Sequence, residues 1–78
     1  MIIPFTNIYL LVEVCGHQRQ VIHAALSLEG AMGPVDRAYG ASQVRPMQVA
    51  HGKWLVELND TIDTPFSYYA VRIPTGGA

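Results

Sequence analysis

Cys15, His17, His23 and His51 are the residues of this chain best suited to holding a borderline-soft metal ion, because thiolate and imidazole supply the sulfur and nitrogen such ions prefer. Cys15 and His17 flank a glycine in a turn, but no second close pair follows to complete a tetrahedral site. No metal site and no cofactor are expected. His17 and His51 read as turn residues and His23 as a strand residue.

Covalent catalysis needs an activated Ser or Cys beside a positioned base, and the chain has no GxSxG elbow. Cys15 and His17 are close in sequence, which does not establish geometry, and a half-buried inert thiol is the plainer reading. Asp60 and Asp63 lie in a polar loop where solvent keeps both ionised, so they do not form an acid/base pair. Gly30 and Gly33 lack the lysine and the preceding strand of a phosphate-binding loop. The residue types therefore point away from an enzyme.

The same acids have another use. Glu57, Asp60 and Asp63 are close in sequence, with Asp36 on an expected helix and Glu13 on the open face of an expected sheet, so together they can engage a Lys/Arg-rich groove on a nucleic-acid-handling protein. The alternative is a solvated loop.

The chain has 78 residues, enough for one domain and too few for two. Half of them are apolar and only 14% are charged, against a usual charged share of about 25%, which excludes disorder and leaves apolar surface uncovered by charge. The formal charge is −1, with Arg19, Arg37, Arg45, Lys53 and Arg72 scattered. Without a basic stripe, direct nucleic-acid binding is not expected. One cysteine excludes an internal disulfide. The opening MIIPFTNIYLLVEV has no basic n-region and reaches Glu13 long before about 20 apolar residues accumulate, so neither export nor a membrane span is expected and the protein reads as cytoplasmic.

Period-two alternation predicts a strand from Thr6 to Cys15. Gly16-His17-Gln18 then turns the chain into a second strand, Arg19 to Leu26, although QVIHAAL also fits a helical spacing. Ser27 is a suitable N-cap, and Leu28, Ala31, Met32, Val35, Ala38 and Tyr39 recur at three- and four-residue steps up to Gly40. A single helix is expected there, kinked or divided at Gly30, Gly33 and Pro34. Ser42 to Ala50 reads as a strand whose Pro46 belongs at an edge or bulge. Lys53 to Leu58 and Phe66 to Ile73 complete the order ββαβββ. The expected fold is α+β, one helix on an antiparallel sheet of four to five strands, with residues 1–5 unassigned and residues 74–78 a frayed tail.

One helix covers one face of such a sheet. The alternation places Ile8, Leu10, Val12, Val14, Trp54, Val56, Leu58, Tyr69, Val71 and Ile73 beneath it. The open face then shows Tyr9, Leu11, Glu13, Leu55, Glu57, Phe66, Tyr68 and Arg72, a composition favoured at protein interfaces, unless MIIPF folds across it. The expected partner-binding residues are Tyr9, Glu13, Glu57, Tyr68 and Arg72, with Asp60 and Asp63 at the rim.

In the stretches IYLLVEVCGHQRQVIHAALSLEGAMGPVDRAYG and HGKWLVELND the chain resembles the small phage-encoded anti-CRISPR proteins, type I-C inhibitors of the Rhodobacter-phage kind. The resemblance carries over no catalytic motif. It implies a protein partner, the crRNA-guided Cascade complex, and a mode, blocking of target DNA in the cytoplasm of the host bacterium. The near-neutral charge fits ordinary protein contacts better than broad mimicry of DNA. The competing reading is a small α+β module, monomer or weak homodimer, that homodimerises or joins a phage or bacterial assembly through its open face.

Overall fold

The computed structural model describes residues 6–75. Strands β1 (Thr6–Cys15) and β2 (Gln18–Ala25) form the expected hairpin. Their two-residue turn puts Gly16 at φ 61°, a conformation without steric penalty only for glycine. Strands β3 (Val44–Ala50) and β4 (Lys53–Leu58) repeat the device with Gly52 at φ 73°. The last strand, β5 (Ser67–Thr75), enters between β1 and β4, giving a five-stranded sheet of order β2-β1-β5-β4-β3 in which every neighbouring pair is antiparallel. Pro46 accordingly sits in an edge strand, where its missing N–H costs least.

The connection from β2 to β3 carries the helical layer as two short pieces, α1 (Leu28–Ala31) and α2 (Gly33–Tyr39). Ser27 caps the first, its Oγ accepting from the Gly30 N–H at 3.0 Å. Pro34 falls in the first turn of the second, where its missing N–H donor would have had no intrahelical partner. The single helix expected from periodicity is thus corrected to two, because Gly33-Pro34 starts a new helix. Across the break the apolar stripe persists, and Ala31, Met32 and Val35 are buried.

The core under these helices consists of Leu11, Met32, Val35, Val56 and Tyr68, with Ile22, Leu28, Tyr39, Val44 and Leu58 packed against it. This settles the orientation of the sheet. Cross-strand partners share a face, so Leu11 with Ala70, Ala70 with Trp54, Glu13 with Tyr68 and Tyr68 with Val56 all turn toward the helices. For β4 the expected parity holds. For β1 and β5 it is reversed: Leu11 and Tyr68 are core, while Ile8, Leu10, Val12, Val14, Tyr69, Val71 and Ile73 face away from the helices.

The reversal has a physical cause. Both central strands are apolar on both sides, so a two-residue period identifies them as strands without saying which side is covered. Glu13 looked like a solvent residue, yet its carboxylate accepts a hydrogen bond from Tyr68 beside the core. Several boundaries also move. β2 runs Gln18–Ala25 where Arg19 to Leu26 was expected, leaving Leu26 exposed ahead of the Ser27 cap. Ser42 and Gln43 belong to a 3₁₀ turn, Ala41–Gln43, ahead of β3. Phe66 precedes β5, and Pro74 and Thr75, expected in the tail, lie within it, with Asn7 opposite Pro74. Residues 1–5, expected either unassigned or across the open face, lie outside the described residues, as do residues 76–78.

Candidate functional site

Two surfaces concentrate side chains that could meet a partner. The larger is the sheet face away from the helices. Along β1 it carries Ile8, Leu10, Val12 and Val14, and along β5 Tyr69, Val71 and Ile73, with no charged residue on either strand. Val21 on β2 is 54% exposed, and Leu55 on β4, Met47 on β3 and Ile73 are each above 40%. Val12 is buried between its register partners Val21 and Tyr69. Charge enters only on the flanking strands. Arg19 stands beside Val14, the Lys53 ammonium lies 4.9 Å from the centre of the Tyr69 ring, and Arg45 pairs with Glu57 at 3.0 Å across the β3–β4 ladder. The helical layer is committed to the Leu11–Tyr68–Val56 side, so no described helix packs over this face.

The second surface lies on the helix side, beyond the core cluster. Tyr9 and Arg72 are register partners, and Tyr9 meets Trp54 with ring centres 5.8 Å apart. The Arg72 guanidinium lies 5.8 Å from the centre of the Trp54 ring, and its Nη2 is 3.1 Å from His51 Nε2. Trp54, expected in the core, is half-buried at this margin. His51, read as a turn residue, does occupy the turn and from there reaches Arg72. Sequence spacing could not reveal this group, because its members meet only through the β1–β5 and β4–β5 registers.

The residues expected to bind a partner are therefore divided. Glu57 alone points from the uncovered face. Asp60 and Asp63 are exposed in the loop between β4 and β5, as anticipated. Tyr9 and Arg72 belong to the aromatic margin. Glu13 and Tyr68, expected on the open face, form part of a hydrogen-bonded chain inside the fold. The Tyr68 hydroxyl donates to Glu13 Oε2 at 3.0 Å, so it accepts from Tyr39 at 3.2 Å, and Tyr39 in turn accepts from Thr64 at 3.2 Å. The Tyr39 and Tyr68 rings meet edge-on, with centres 6.1 Å apart. Burial, followed by the hydrogen bond with Tyr39 and the one to Glu13, pushes the Tyr68 phenol well above its ordinary pKa. These groups fasten α2 and the β4–β5 loop to the sheet.

No arrangement of catalytic type accompanies them among the described residues. Cys15 is exposed at the end of β1, His17 is exposed in the adjoining turn, and no hydrogen bond joins them. No group of three or more metal-ligating side chains comes together there. A cleft of about 320 Å³ beside the start of β3 is lined by Arg45, Glu57, Asn59 and Asp60, and a groove of about 430 Å³ by Leu28, Met32, Asp36 and Pro46. The first also holds Ser42 and the second Ser27, whose hydroxyls accept from Gln43 Nε2 and the Gly30 N–H. No described helix is long and apolar enough to cross a membrane.

The chain matches no family model, no curated protein and no solved structure at a significant level.

Proposed function

We propose that this chain is a non-enzymatic protein-binding module that works through the uncovered face of its sheet. One observation carries the reading: the two central strands turn away from the helices the uncharged sides that hold Ile8, Leu10, Val12, Val14, Tyr69, Val71 and Ile73, with Thr6 and Ser67 at the strand starts, and turn toward the helices the sides that hold Glu13 and Arg72. A chain folding for itself alone gains most by covering the more apolar face. An uncovered apolar face with charge confined to its margin has the anatomy of an interface.

The partner in this reading is the type I-C Cascade complex, and the action is inhibition of target-DNA binding in the cytoplasm of the host bacterium. What supports the finer statement is the resemblance of the stretches from Ile8 to Gly40 and from His51 to Asp60 to anti-CRISPR proteins. The scattered basic residues agree with a protein partner better than with nucleic acid. Purified Cascade, retained on the immobilised chain and then assayed for target-DNA binding, tests it. Retention with loss of DNA binding is expected. Cascade that passes through unretained and still binds DNA would remove this partner and leave the binding face to be assigned to another protein.

A further inference from the structure

The uncovered face is large enough, and distributes its charge suitably, for one particular occupant. Four strands, β2, β1, β5 and β4, overlap when two copies stack across a two-fold axis along the strands; at about 4.8 Å spacing, with six to ten residues each at about 3.3 Å, they offer a footprint of roughly 400–500 Å² per copy before side-chain relief is counted. Two copies together then cover roughly 800–1,000 Å², the low end of protein–protein interfaces and the size of a weak, concentration-dependent contact. The centre is uncharged and mostly apolar, the row from Val21 through Val12 and Tyr69 to Leu55 lying beside Leu10 and Val71. Centres of this kind distinguish homodimer interfaces from transient ones, which are about as polar as the rest of a protein surface.

The register supplies a charge argument. Arg19 is exposed beside Val14, and Val14 lies opposite Ser67. Since Tyr68 is opposite Val56, Glu57 occupies the same transverse row as Ser67. Consider a two-fold axis running along the strands between β1 and β5. It lays β1 over β5 of a second copy and β2 over its β4, so each Arg19 faces the row that holds the other copy's Glu57, where it would join the Arg45 that already pairs with that carboxylate. Such an interface is self-complementary, as two-fold symmetry requires.

We propose that in the free protein this face is closed by a second copy of the chain, giving a two-fold sandwich with the sheets about 10 Å apart inside and the helices outside. This rests on the reading of the sheet face as a binding surface and names its occupant when no other partner is present. Any other partner for that face then competes with self-association.

Light scattering on the full chain across the micromolar range tests it. The expected result is twice the chain mass, falling to one chain mass on dilution. Leu55→Glu and Ile73→Glu, at side chains already 41% and 43% exposed, should give a monomer with an unchanged circular dichroism spectrum. Arg19→Glu should weaken the dimer by about tenfold or more, with less salt dependence than the parent. A parent that stays at one chain mass at every concentration would overturn the proposal. So would a dimer that survives Leu55→Glu with Ile73→Glu, or a monomer that dimerises only when residues 1–5 are removed. The broader reading fails separately: it is lost if the Leu55→Glu monomer retains full binding to Cascade.

Discussion

Tyr68 shows at the scale of one residue how far a pattern can mislead. Its place in the alternation puts it outside, yet the phenol is buried and holds together three parts of the chain through Glu13, Tyr39 and Thr64. Tyr68→Phe removes the donor to Glu13 and the acceptor for Tyr39, and should lower stability by about 1–2 kcal/mol in urea denaturation. The raised pKa makes a second prediction with a definite sign. Because the folded state holds the phenolic proton more tightly than the unfolded state, its contribution is complete below the ordinary phenol pKa of about 10. It is lost as pH rises from there through the folded-state value. In an alkaline titration followed by phenolate absorbance, Tyr68 should ionise well above the ordinary phenol range, together with unfolding, and this late step should be missing in Tyr68→Phe. Asp60 and Asp63 were legible as exposed loop residues because a polar run between two strands has nowhere else to go. Tyr9 and Arg72 were legible as surface-capable residues, whereas their meeting with Trp54 depends on register, which a single sequence does not encode locally.

At the scale of elements, the turns and caps were the most readable features. Gly16 and Gly52 meet the positive φ their hairpins need, and Ser27 caps where its side chain can accept. The break between α1 and α2 follows from Pro34, a local effect, and was anticipated as a kink or a division. The covered side of β1 and β5 was not readable, since it depends on how two short helices choose between two apolar faces. Burial now sharpens the energetic expectation. Val35 and Met32 are 1% and 4% exposed, so Met32→Ala should cost about 2–4 kcal/mol and Val35→Ala somewhat less, both read from shifts in the denaturation midpoint. Leu28 is only half-buried, and Leu28→Ala should cost less than Met32→Ala. Equal losses at Leu28 and Met32 would mean that the stripe is tilted differently on the sheet.

At the scale of the whole molecule, the chain is a two-layer structure whose helices cover one side of a sheet that is apolar on both. The described histidines, cysteine and acids do not converge, so melting should be unchanged by chelation; stoichiometric zinc in the purified protein would refute that expectation. What remains is an unpartnered face, and the central claim is that this face is where the protein works. A photo-cross-linking amino acid introduced at Leu55 samples the uncovered face, and one introduced at Ala38 samples the exposed side of α2. Both variants would be irradiated as pure protein and again with purified Cascade. Adducts from position 55, and none from position 38, are the predicted result. Adducts from position 38 alone, or from neither position in either sample, would contradict the account.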